Sequence, residues 1–209
     1  MTQAPASSAL YVFVLHSLNE IGAPYVLVGG FAATLYGSNR ATHDVDIVVS
    51  LREKHIQAPA HQFPPPRYYA DLQQMRDSIA RGLLLNIIDG EAGQKVDLLP
   101  VTVDPVYRQA FRRRVRVTID DPNGQPMEIW VGRPDDVIIG KLKAWHDGNL
   151  QRHEYDIEAM LLLIYSGQDR QVAAWYHERR VDRQARALGG GTLQLWQQLK
   201  RVARERVGP

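Results

Sequence analysis

Three aspartates stand where an apolar pattern leaves little room for charge. Asp44 and Asp46 are separated by one residue inside DVDIVV, and Asp97 lies inside QKVDLLP. In a strand, residues i and i+2 point to the same face, about 7 Å apart. Asp44 and Asp46 therefore share a face, while Val45 and Ile47 turn to the core. Carboxylates held this way are costly unless a positive charge sits between them. Mg2+ meets that need, because it is a hard cation held by a few carboxylates and by substrate phosphates. An isolated Asp-x-Asp is common, and acids often end strands in solvent. The combination favours a site here: a Gly-Gly turn precedes the pair, and a third strand acid follows it.

The glycines have a separate logic. Gly29-Gly30 follows the apolar run Tyr25–Val28 and opens a short helix. Without Cβ atoms the backbone can approach a phosphate, and a helix N-terminus offers free N–H donors. Arg40 and Thr42 precede the acids. Arg40 either clamps phosphate or pairs with an acid. Lys141 lies among apolar neighbours on a helix, which is costly without an anion. A phosphate contact and an ion pair with Asp156 both answer that cost.

Elements must hold these residues in place. Leu10, Val14, Leu18 and Ile21 repeat at helical spacing, which predicts a helix over 8–21. Strands follow at Tyr25–Val28 and Asp44–Val49, with a short helix over 31–36 that ends at Gly37. Residues 53–66 read as loop, because Pro64-Pro65-Pro66 excludes regular helix. A helix over 69–79, strands over 83–88 and 95–101, and a hairpin of 115–119 with 127–131 across Asp121-Pro122-Asn123-Gly124 complete the first part. From Pro134 onward the pattern is helical, over 134–147, 153–166, 169–187 and 192–206. The fold class expected is α/β (α+β): a mixed sheet with flanking helices over 1–132, then a helical domain over 133–209.

Composition narrows the class. The chain has 209 residues, no cysteine, 44% hydrophobic residues and a net charge of +2. Disulfides and thiolate metal sites are excluded, and bulk charge alone does not argue for nucleic-acid binding. The N-terminus lacks a signal-peptide pattern, and no apolar run approaches the roughly 20 residues of a bilayer span. A cytoplasmic protein without membrane partner is expected. Seven histidines are present, yet no HxxxH spacing makes a helical zinc pair. His43 alternates away from Asp44. Arg112, Arg113, Arg114 and Arg116, with Lys200, Arg201, Arg204 and Arg206, either touch RNA phosphates or form solvated faces. Trp145, Trp175 and Trp196 read as helix core.

The segment VLVGGFAATLYGSNRATHDVDIVVS resembles the nucleotidyltransferase superfamily of the DNA polymerase beta type. That signature is a strand, Gly-Gly or Gly-Ser, a helix, then Asp-x-Asp. It is most similar to the minimal, toxin-related branch that includes the AbiEii-type toxins, through Gly29-Gly30, Tyr36-Gly37, Arg40, Thr42 and Asp44-Val45-Asp46. The family's strand acid falls on Asp97, and Lys141, Arg152 and Asp156 follow in the family's order. Gly30 stands where many active transferases carry Ser. The resemblance implies Mg2+-dependent transfer of a nucleoside monophosphate from a nucleoside triphosphate. Asp44, Asp46 and Asp97 would be catalytic and metal-binding, and Gly29, Gly30, Arg40, Thr42 and Lys141 nucleotide-binding. The acceptor would be an RNA end, such as tRNA, or a protein hydroxyl, and an antitoxin would be the partner. The alternative is a non-catalytic nucleotide-binding or regulatory module with the same fold.

Overall fold

The computed structural model describes residues 9–42, 44–56, 63–121 and 123–208. His43 lies outside the described residues. The chain forms two compact units. One combines the chain up to Leu27 with Thr42–Val131, and the other combines Val28–Ala41 with the chain from Gly132 onward.

The first unit is built on a mixed sheet. Its elements are α1 (Ala9–Glu20), β1 (Tyr25–Val28), β2 (Asp44–Val49), β3 (Tyr68–Tyr69), α3 (Leu72–Arg81), β4 (Leu85–Asp89), β5 (Gln94–Pro100), α4 (Pro105–Arg113), β6 (Val115–Asp120) and β7 (Pro126–Val131). A short helix, α2 (Gly29–Thr34), follows β1 and belongs to the second unit. The strand order is β3-β4-β5-β2-β1-β7-β6. β2 pairs with β5 and β1 with β7 in parallel, whereas β3–β4, β4–β5 and β6–β7 are antiparallel. Every residue of β1 is buried, as an apolar run in a central strand requires.

Several boundaries differ from the sequence pattern for identifiable reasons. Tyr69 belongs to β3, because the next helix begins only after Asp71, whose carboxylate accepts the Gln74 N–H at 2.6 Å. Glu53–His55 forms one 3-10 turn inside the expected loop. Helix α4 was not expected. Asp104 caps it through the Val106 N–H at 2.8 Å, and Pro105 occupies its first turn.

The second unit holds α2 and five further helices: α5 (Pro134–Gly148), α6 (Gln151–Ser166), α7 (Arg170–Trp175), α8 (Glu178–Leu188) and α9 (Gly190–Val207). No strand occurs among its described residues from 134 on. The single helix expected over 169–187 is two, broken at Tyr176, which is extended and meets the Tyr165 ring edge-on. Trp196, Ile138, Leu142, Ile157, Met160 and Val181 form the core. Trp196 donates its indole N–H to Asp182 at 2.7 Å, which satisfies the one polar atom of a fully buried ring. Asp135 and Asp136 open α5, as the helix dipole favours, and both are buried against Arg180 of α8. No described helix is long and apolar enough to cross a membrane.

Helix α2 packs on α5 and α6, and the turn after it is tight. Gly37 adopts φ +102°, and a Cβ there would stand 3.0 Å from Leu163 Cβ and 3.2 Å from the Ala159 carbonyl. Gly37→Ala is therefore expected to cost about 1–3 kcal/mol, the scale of one strained backbone position. Urea denaturation checks this: the midpoint should fall at unchanged slope. A midpoint equal to wild type would show that the turn has room to relax.

Candidate active site

The three aspartates are placed by the pairing of β2 with β5. The parallel register sets Asp44 beside Lys95 and Asp46 beside Asp97. Neighbouring strands lie about 4.8 Å apart, so these four side chains form a two-by-two patch on one face of the sheet. The alternating residues Val45, Ile47, Val96 and Leu98 are buried on the other face. Antiparallel β4 extends the row, with Asn86 beside Asp97. The structure thus brings Asp44, Asp46 and Asp97 together. It adds Lys95 and Asn86, which sequence reasoning missed, although Lys95 stands two residues before Asp97 on the same strand.

The charges within the patch are coupled. Lys95 Nζ lies 2.9 Å from Asp97 Oδ2 and 3.7 Å from Asp44 Oδ1. The hydrogen bond to Asp97 raises the lysine's pKa, and the charges of Asp97, Asp44 and Asp46 add to that. Asp97 Oδ1 is buried without a hydrogen-bond partner, and so is Asn86 Oδ1. Thr42 Oγ1 donates to the Asp44 carbonyl at 3.0 Å, which ties down the start of β2. Tyr107 of α4 has its pKa raised, first by burial and then by the charge of Asp46, so its phenol lies within the field of the patch.

These donors fit a hard divalent cation. All are oxygens, three residues carry negative charge, and one carboxylate oxygen is buried with its hydrogen-bonding capacity unmet. Among the described residues no three His, Asp or Glu side chains are gathered tightly enough to hold an ion as they stand. The Lys95 ammonium touches two of the acids, Asp44 and Asp97.

The remaining sequence candidates lie in the helical unit, apart from Thr42. Gly29 has φ +70° and Gly30 follows it at the start of α2. Arg40 grips Asp156 with two hydrogen bonds, Nε to Oδ1 at 3.2 Å and Nη2 to Oδ2 at 3.0 Å. Lys141 Nζ reaches Asp156 Oδ2 at 2.5 Å, and Ser38 Oγ donates to Oδ1 at 2.7 Å. For both cations the structure shows the ion pair. Burial pushes the Asp156 pKa up, but hydrogen bonds from Arg40, Lys141 and Ser38 outweigh it and hold the carboxyl below the usual range. Arg152 is exposed.

The other basic residues are largely matched by acids. Lys200 pairs with Glu178 and Asp182, Arg204 with Glu178, Arg206 with Glu158, and Arg116 with Glu128. Arg114 and Arg116 also stack on Trp130. A groove of about 610 Å3 opens in the helical unit. Its lining includes none of the three aspartates, and the Tyr155–Asn39 and Arg206–Glu158 pairs form part of it.

Two predictions come from the Asp156 cluster. Asp156→Asn removes the buried carboxylate that Lys141 and Arg40 share and should cost about 3–5 kcal/mol, measured by urea denaturation. Retention of wild-type stability would mean that the pair is not stabilising. His153 has its pKa lowered from 6.5 to about 4, first by burial and then by the charges of Lys141 and Arg152. The unfolded chain therefore binds a proton that the folded chain refuses. Stability from this residue is complete above pH 6.5 and falls as pH drops from 6.5 toward 4. His153→Leu should flatten that part of the stability–pH curve. Parallel curves for the two proteins would contradict it.

Comparison with known proteins agrees with the sequence resemblance. No curated protein matches the chain. Among solved structures it is similar to an antigenic nucleotidyltransferase-like protein from Paracoccidioides brasiliensis, at 17% identity, covering 92% of this chain and 95% of that one, with a TM-score of 0.46. It is also similar to the antibiotic-resistance factor ANT(2'')-Ia, at 14% identity, covering 82% and 89%, with a TM-score of 0.40. A third is terminal uridylyl transferase 4 from Trypanosoma brucei with bound GTP, at 14% identity, covering 78% of this chain and 49% of that one, with a TM-score of 0.32. The family model described as nucleotidyl transferase AbiEii toxin, type IV toxin–antitoxin system, matches residues 13–204. With nearly its whole length matched, the chain belongs to the AbiEii family and is a nucleotidyltransferase.

Proposed function

We propose that this protein transfers a nucleoside monophosphate from a nucleoside triphosphate to an RNA end or a protein hydroxyl. It would do so with Mg2+ held by Asp44, Asp46 and Asp97, and act in the cytoplasm as the toxin of a toxin–antitoxin pair. The observation that carries the chemistry is the β2–β5 register, which gathers the three acids on one face with Asp97 Oδ1 unpartnered. A divalent cation bound there supplies Lewis-acid charge, which lowers the pKa of an attacking hydroxyl and stabilises the leaving oxygen.

The chain's own residues do the rest. β2 and β5 carry the acids on one face of the sheet, so that only side-chain rotations are needed to close on a cation. Gly29 and Gly30 are assigned to phosphate through their backbone N–H groups, since neither carries a Cβ to hold it away. Thr42 sets the strand that carries the acids. Arg40 and Lys141 are assigned to the nucleotide's negative charge, with Asp156 presetting both side chains. The family description favours an antitoxin partner, and an RNA end or a protein side chain would each offer the hydroxyl that the transfer needs.

Each labelled triphosphate, incubated with Mg2+ and total RNA or cell protein, tests the reading. Label should pass to one acceptor class, stop with EDTA and return with Mg2+. Asp46→Asn and Asp97→Asn should lower the rate by more than the roughly 10–100-fold typical of losing an outer-shell metal partner. Expression of wild type should arrest growth, whereas Asp46→Asn should not. Transfer that survives EDTA, or that Asp46→Asn leaves intact, would overturn the metal assignment.

A further inference from the structure

We propose that Lys95 is the resident counter-ion of the acid patch, which holds Asp97 and Asp44 in place without metal and must swing out before a divalent cation binds. The inference rests on the metal reading above and adds a residue to it. Three observations carry it. Lys95 faces the acids by register, beside Asp44 and two residues from Asp97 on β5. Its ammonium is already in contact with both carboxylates, at 2.9 and 3.7 Å. Its side chain is 37% exposed, against 14% for Asp97, so the lysine has solvent to retreat into and the acid does not.

The energetics follow from like and unlike charge. Without Lys95, three carboxylates on adjacent strands would repel one another. With it, the acids are screened and kept in register. A divalent ion entering the same patch meets a positive charge and must also break the Lys95–Asp97 bond. Four rotatable methylenes let the ammonium move without disturbing the strand. Lys95 therefore lowers affinity for bare metal while preserving the geometry that metal needs.

Titration of the full-length protein with Mn2+ alone, read by the electron paramagnetic resonance of the free ion, tests this on wild type, Lys95→Met and Lys95→Arg. Lys95→Met should bind Mn2+ more tightly by on the order of tenfold, the scale of removing one adjacent like charge. In EDTA it should melt below wild type, and Mn2+ should raise its melting temperature by more than it raises that of wild type. Lys95→Arg keeps the ion pair and should bind Mn2+ close to wild type. Lys95→Gln provides a second neutral variant should the Met variant aggregate. Neutral variants that bind Mn2+ no more tightly than wild type would overturn the role of Lys95 and leave the metal site standing. No Mn2+ binding by any variant, wild type included, would overturn both.

Discussion

The register of β2 on β5 is the constraint on which the acid patch depends. The side-chain period of a strand is two, so a slip of one residue would carry Asp44 and Asp46 to the core face and bring Val45 and Ile47 out. The buried row of Val45, Ile47, Val96 and Leu98 forbids that slip. The same hydrophobic contacts that stabilise the centre of the sheet therefore aim three carboxylates to the other side. Mutations that loosen this row act on the site without touching it. The extra tie from Thr42 to the Asp44 carbonyl serves the same end at the mouth of the strand.

The helical unit handles charge differently. Asp156 is all but inaccessible, and three donors converge on its two oxygens. Asp135 and Asp136 share Arg180 in a second buried cluster. Such networks stabilise only when complete, because removing one member strands the others in low dielectric. They also select among packings: α5 can present Lys141 to Asp156 only when α5 and α6 meet in one rotation.

Legibility from sequence divided along local and non-local lines. The acid strands, the glycine turn and the C-terminal helices were readable because their periodicity or turn chemistry is written within a few residues. Asp97 was readable as a lone acid in an apolar run. Helix α4 was missed although Tyr107, Ala110 and Phe111 repeat at helical spacing and Asp104 and Pro105 mark its start, because its nine residues hold little more than one repeat of that stripe. The break at Tyr176 carries no glycine or proline, and is stabilised by Tyr165 on another helix. The choice between phosphate and ion pair for Arg40 could not be made locally, since its partner Asp156 lies 116 residues away. Lys95 is the instructive case. Its face was legible from spacing to Asp97, but its contact with Asp44 exists only through the β2–β5 pairing.

A comparison of the two kinds of charge cluster favours the acid patch, rather than the larger buried networks, as the proposed reactive place. Around Asp156 both carboxylate oxygens have donors, so that residue has little capacity to offer a ligand without losing stability. In the patch, Asp97 keeps one buried oxygen unpartnered, Asn86 keeps its carbonyl oxygen unpartnered beside it, and Asp97 meets the ammonium of a half-exposed lysine. A buried acceptor without a donor is a standing cost of about 1–3 kcal/mol. A cation bound at the patch would remove that cost for Asp97. Unmet hydrogen-bonding capacity beside clustered carboxylates, placed by a register that cannot slip, supports the patch as the proposed place for metal, independent of any motif.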